Sequence, residues 1–273
     1  MVAFVASMCI ALPIALFPIF LLNKLKIIST SNKHRASLKT GQFCCRWLMK
    51  IIPFAKVEVF ADLEDDDPEP SIWVCNHTSM LDIFFWLATD EELRGKKRRP
   101  IKIIYKKDLE KNPITCFLFK MCGFLSVDMD ENDSNNTVQY KTYSFKALLK
   151  GIKKAFDEGW DIGILPEGQV NPCPENGLQP IFPGGFKMAK MSKRPIRMIA
   201  LYGLHKLWHG DKLFETDVTG RDVKIRAYPI GRNFENVDEF VETFKTVVGY
   251  FGAKGYDHPD WQRWMSGSAW KEI

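Results

Sequence analysis

From Val57 to Phe251 the chain alternates short apolar runs with longer segments whose apolar residues recur at helical spacing. The short runs are Val57–Phe60, Ser71–Cys75, Ile101–Tyr105, Phe124–Val127, Trp160–Leu165, Ile199–Tyr202 and Val223–Tyr228. Between and after them lie helix-like segments at Ile83–Ala88, Pro113–Cys122, Lys141–Glu158, Phe182–Met191 and Val237–Phe251. Strands separated by helices pair side by side only through crossover connections. The predicted fold is therefore α/β, a mixed, largely parallel sheet flanked by helices.

The 273 residues suffice for one α/β domain preceded by a membrane element. The expected division is an anchor over residues 1–52 and the α/β domain over 53–273. No residue from Val2 to Leu22 is charged, about the twenty residues that cross a bilayer's hydrocarbon layer. Pro13 and Pro18 would kink a helix there, so a bent or half-embedded helix competes with a simple span. Lys24, Lys26, Lys33, Arg35 and Lys39 follow, which sets the downstream chain on the cytoplasmic side. His34–Ile52 mixes Phe43 and Trp47 with Lys39, Arg46 and Lys50, the pattern of an amphipathic helix at a bilayer interface. Cys44 and Cys45 on it are idle thiols or palmitoylation sites.

A formal charge of +5 does not call for nucleic acid, and an anionic membrane surface suits it as well. The basic run Arg94–Lys102 is a solvated face, or one that meets anionic lipid or the phosphates of an acyl-CoA. Seven scattered cysteines indicate reduced thiols, and five histidines show no metal-ligand spacing.

The chemistry concentrates where strand-like Ser71–Cys75 runs into Asn76-His77-Thr78-Ser79-Met80-Leu81-Asp82. If the following helix begins near Ser79, the Asp82 carboxylate reaches one nitrogen of His77 and the other faces a substrate, as a general base requires. The plainer reading makes Ser79 a helix N-cap, Asp82 a first-turn acid and His77 a loop residue. Ser79 as a hydrolase nucleophile lacks the Gly-x-Ser-x-Gly elbow. A second strand end, Trp160–Leu165, leads into Pro166-Glu167-Gly168-Gln169, a tight turn with a carboxylate and backbone N–H groups.

Together these blocks resemble the glycerolipid acyltransferase family, with His-x4-Asp, Gly-x-x-Phe-x-Asp-Arg and Phe-Pro-Glu-Gly-Thr-Arg-Ser in that order. The resemblance spans roughly Ser71 to Leu201 and takes in Lys106-Lys107-Asp108-Leu109, Pro113, Gly123–Asp128 and Pro195–Ile199. It implies a membrane-bound enzyme that moves an acyl group from acyl-CoA to a lysoglycerolipid hydroxyl, with no bound cofactor. Its expected location is the endoplasmic reticulum or another organelle membrane, with the catalytic domain facing the cytosol.

On that resemblance His77 is the base and Asp82 its orienting partner, while backbone N–H groups near Gly168 are candidates for the oxyanion. Glu167 is implied to hydrogen-bond an acceptor hydroxyl, with a structural loop cap as the alternative. Gln169 and Asn171 offer neutral donors, and Lys106 or Lys187 a point charge. Met129 and Val170 stand where the family has the arginines implied to hold the acceptor's phosphate. Their loss argues against a phosphomonoester acceptor. It also keeps open a non-catalytic lipid-binding protein that retains the fold.

Overall fold

The computed structural model describes residues 2–50, 55–62, 69–128, 142–208 and 221–272. Met129, where the family has an arginine, lies outside these residues. The strands are β1 (Ala55–Ala61), β2 (Ile72–Cys75), β3 (Ile101–Lys106), β4 (Leu125–Val127), β5 (Asp161–Ile164), β6 (Ile196–Tyr202) and β7 (Arg221–Arg232). Helices α1 (Val2–Lys24), α2 (Thr30–Met49), α3 (Asp82–Arg94), α4 (Pro113–Cys122) and α5 (Thr142–Asp157) occupy the first part of the chain. They are followed by α6 (Gly184–Ser192), α7 (Leu204–Leu207), α8 (Val237–Phe244), α9 (Tyr250–Lys254) and α10 (Trp261–Ser266). Every predicted strand run forms a strand, and every predicted helix is helical.

The chain divides into two compact units, neither continuous in sequence. The first comprises Met1–Ile52, Phe84–Thr89 and Arg99–Ile162, and the second Pro53–Ile83, Asp90–Arg98 and Gly163–Ile273. Residues 99–162 share the unit of the N-terminal helices.

In the second unit the strand order is β1-β7-β6-β2. The β1–β7 and β2–β6 pairs are parallel and β6–β7 is antiparallel, the mixed, mostly parallel arrangement expected. All of β2 and Ile196–Leu201 of β6 are buried, which explains unbroken apolar runs where a half-exposed strand would alternate. Helix α6 packs on β2 and β6, and Gly185 lets its backbone approach Val74, 3.4 Å from where a Cβ would sit. The final amphipathic segment is not one regular helix. A π-helical turn at Lys245–Gly249 joins α8 to α9, and Gly249 admits Leu178 at 3.1 Å from a Cβ position. The wide turn keeps Phe240, Phe244, Val248 and Phe251 all buried.

In the first unit β3 and β4 are parallel neighbours. Helix α2 packs on α1 and α4, and α5 on β4. The apolar residues of α2 part into two sets: Leu38, Cys44, Cys45 and Leu48 are buried, while Phe43 and Trp47 are exposed. Both thiols are thus inside. Helix α1 continues through Pro13 and Pro18, with Leu12 and Leu16 buried and Ile10, Ile14, Phe17 and Leu21 exposed. No helix among the described residues is long and apolar enough to cross a membrane. The N-terminal segment is a helix packed on protein along one edge, with an apolar face on the other.

Candidate active site

Where β2 ends, Asn76 takes over its hydrogen bonding. Its amide accepts from Leu201 N–H at 2.8 Å and donates to Leu201 C=O at 2.9 Å, so a side chain extends the ladder to β6. Nothing larger than glycine fits at position 252, because a Cβ there would lie 2.6 Å from Asn76 Nδ2. The chain therefore leaves the sheet at a fixed point, and His77 is the next residue.

His77 and Asp82 meet as their spacing predicts, with Nδ1 and Oδ2 2.9 Å apart. The helix begins at Asp82 rather than near Ser79, and Leu81 holds the N-cap position. Ser79 is not the cap: its hydroxyl donates to the Trp208 carbonyl at 2.8 Å, which also removes it as a nucleophile beside His77. The corner closes onto Asp82 instead. Oδ2 accepts from Thr78 N–H at 2.5 Å and Ser79 N–H at 2.9 Å, and Oδ1 accepts from the Thr78 hydroxyl at 3.0 Å.

These bonds settle the histidine's chemistry. A carboxylate only accepts, so Nδ1 carries the proton and Nε2 presents its lone pair. Asp82 is 1% exposed, whereas the His77 side chain keeps 20%. No described residue bonds Nε2. The pair is a buried carboxylate behind an imidazole with one open basic nitrogen.

Glu167 sits beside the pair but not as expected. Only 1% of it is exposed, so its carboxylate faces protein and not an acceptor. Oε1 accepts from the backbone N–H of His77 at 2.7 Å. Oε2 accepts from Gln179 N–H at 2.8 Å and from the Asn171 amide at 3.3 Å. Burial pushes its pKa up to about 7, against the lowering effect of the His77 and Gln179 N–H groups. The structure gives Glu167 the loop-holding role that was the alternative: it ties the Pro-Glu-Gly turn to the backbone of the base.

Gly168 has φ +68° and faces the Phe182 ring 3.1 Å from a Cβ position. Its N–H bonds Leu165 C=O at 3.1 Å, so it closes the turn and does not serve as an oxyanion donor. Gln169 is exposed and Val170 half-buried. Lys106 ends β3 in the first unit and pairs with Asp108 at 3.5 Å. Arg197, in the loosely matching fourth block, is buried and donates to Ser71 Oγ at 3.1 Å and to Pro229 C=O. It anchors strand ends.

Two residues that carried no role in the sequence, Asn76 and Gln179, complete the corner with Asn171, which was expected to offer a neutral donor to the acceptor. Asn171 donates its N–H to His77 C=O at 2.7 Å and its amide to Gly177 C=O at 2.7 Å. With Glu167 it grips both backbone groups of His77. The only sequence signal was that each residue lies within or near a quoted block.

An α/β sheet with a carboxylate-held histidine at a strand end, backed by a Pro-Glu-Gly turn, defines a class of acyl-transfer enzyme. Residues 58–201 match the family described as Acyltransferase, more than half of the chain. The protein belongs to this acyltransferase family. In structure it is similar to PlsC from Thermotoga maritima, a 1-acyl-sn-glycerophosphate (LPA) acyltransferase, with a TM-score of 0.62 and 16% identity. That likeness covers 91% of this chain and 93% of the other, and establishes the shared fold. No curated protein matches the chain.

Proposed function

We propose that this acyltransferase is a membrane-bound enzyme that moves a fatty acyl group from acyl-CoA to the hydroxyl of a lysoglycerolipid. The observation that carries this reading is the 2.9 Å contact between His77 Nδ1 and a fully bonded Asp82, which leaves Nε2 basic and partly open. Nε2 removes the acceptor's proton as its oxygen attacks the thioester carbonyl. The tetrahedral oxyanion then collapses, the C–S bond breaks, and the thiolate takes the proton from the imidazolium. A thiol with a pKa near 8.5 leaves with little help, so activation of the alcohol is the harder task. A positioned histidine contributes roughly a hundredfold or more to it.

The bilayer contact in this reading is an embedded face, not a span. Ile10, Ile14, Phe17 and Leu21 on α1 and Phe43 and Trp47 on α2 are exposed, and Lys39 and Lys50 lie exposed beside the latter. Such a face buries apolar side chains while its lysines reach head groups. The location that follows is an organelle membrane, the endoplasmic reticulum first, with the catalytic corner on the cytosolic side.

Val170 and Met129, where the family has arginines, favour an acceptor whose phosphate is esterified or absent. An arginine fork binds a phosphate dianion through paired charge-assisted bonds, and neither residue provides one. Competition kinetics with lysophosphatidate against its head-group esters test the reading. Preferential acylation of the esters is expected. Preference for lysophosphatidate would overturn the acceptor class, and bound lysolipid without acylation would identify a non-catalytic lipid-binding protein.

A further inference from the structure

Helix α5 buries one face and presents the other to solvent. Leu148, Ile152, Ala155 and Phe156 are buried, and Gly151 admits Leu125 of β4 at 3.1 Å from a Cβ position. At helical spacing the opposite stripe is Tyr143, Lys146, Lys150, Lys153, Lys154 and Asp157. All six are exposed, Tyr143 by 87%. No Asp or Glu occurs between Thr142 and Phe156. Lys154 stands 3.8 Å from Glu158, just past the helix. Among the described residues Lys146, Lys150 and Lys153 pair with no carboxylate.

Lysines three and four positions apart repel one another and weaken the helix that carries them. The helix dipole offsets this for Lys154 in the last turn, but its effect does not reach Lys146 or Lys150. A helix face that meets only water typically carries both signs interspersed, whereas this one has a single acid, Asp157, at its end. From Lys146 to Lys154 the stripe runs about 12 Å along the axis, too far for one phosphate to bridge. A plane of anionic head groups meets all four ammonium groups at once. A tyrosine suits that interface, with an apolar ring and a polar tip. The start of α2 is tied to the end of α5, where Arg35 donates to Glu158 C=O at 2.6 Å. The stripe therefore adjoins the helix that bears the exposed Phe43 and Trp47.

We propose that the outer face of α5 docks on an anionic bilayer surface through Lys146, Lys150, Lys153 and Lys154, with Tyr143 at the head-group level. This rests on the membrane-bound reading above and adds a charged contact to the apolar one of α1 and α2. The test measures partition of the full-length protein, diluted from neutral detergent, into two kinds of nanodisc. One is phosphatidylcholine alone, and the other is phosphatidylcholine mixed equally with phosphatidylglycerol. Partition into phosphatidylcholine reports the apolar contact, and the ratio of the two partition coefficients reports the charged one. A further arm titrates poly-glutamate as an acidic polypeptide.

The ratio should favour phosphatidylglycerol and fall as salt is raised. Each lysine near such a surface contributes roughly fivefold in affinity. Lys146→Gln, Lys150→Gln and Lys153→Gln together should therefore lower the ratio by about a hundredfold. Glutamine is as good a helix former as lysine, so the thermal midpoint and the partition into phosphatidylcholine should stay nearly unchanged. An unchanged ratio in the triple variant, with native-like partition into phosphatidylcholine, would overturn the α5 contact and leave the membrane-bound reading standing. No partition of the native protein into either nanodisc would overturn both. Poly-glutamate binding that the triple change removes, with the lipid ratio unmoved, would assign this face to an acidic polypeptide and overturn the bilayer contact.

Discussion

Asp82 and Glu167 are both 1% exposed carboxylates that touch His77, yet they do opposite work. Asp82 is bonded by residues within five positions of itself: His77, Thr78 and Ser79. Glu167 is bonded by His77, Asn171 and Gln179, and its contact with His77 joins parts of the chain separated by 90 residues. One carboxylate selects the tautomer of the base. The other fixes where the base stands. The difference lies in which atom of His77 each one meets: the ring nitrogen for Asp82, the backbone N–H for Glu167.

The largest effect should come from the ring-nitrogen side. Asp82→Asn offers an amide in place of the acceptor that selects the Nδ1–H tautomer, and comparable orienting carboxylates cost on the order of 10⁴ in turnover. A loss of about a thousandfold in kcat with a small change in KM is expected from steady-state kinetics. Near-normal kcat would place Asp82 among merely structural residues.

The same contrast explains what could be read from the sequence. Contacts between residues a few positions apart depend on local geometry, so the spacing offered the His77–Asp82 contact beside a plain helix-cap reading, and the family blocks favoured it. The strand runs were legible because buried strands demand continuous apolar residues. Glu167 was not, because a motif's order says nothing about which backbone atoms fold back onto it from Gln179 and His77. Asn76 and Gly252 form a matched pair across distant parts of the chain, and neither residue marks the other in the sequence. Hydropathy likewise counts the apolar residues of α1 but does not reveal which of them, Leu12 and Leu16, are packed on protein.

Next in size is a stability effect on the Glu167 side. Its folded pKa of about 7 lies above its ordinary 4.5, so the folded state holds a proton that the unfolded chain releases first. The contribution to stability is complete below the ordinary value and is lost as pH rises through about 7. That loss is on the order of 3 kcal/mol, and Glu167→Gln should remove this slope. Denaturant melts of both proteins from pH 4 to 8 check it, and parallel pH profiles would contradict a buried, proton-holding clamp.

Val170→Arg should come third. If the turn admits a phosphate-binding fork, the ratio of lysophosphatidate to head-group ester turnover should rise about tenfold, as one charge-assisted bond allows. An unchanged ratio would show that position 170 does not meet the acceptor. Gly168→Ala should be smallest, a destabilisation of about 1–2 kcal/mol from the left-handed φ and the Phe182 ring, read as a lower midpoint. No change in midpoint would mean that the turn relaxes freely.

Acceptor-dependent thiol release from acyl-CoA, measured in native protein and in folded His77→Ala, decides whether His77 is the base of an O-acyltransferase. Release should require lysolipid in the native protein and fall by a factor of about 10²–10⁴ in the variant, with the thermal midpoint nearly unchanged. Equal release from the two proteins would contradict that assignment.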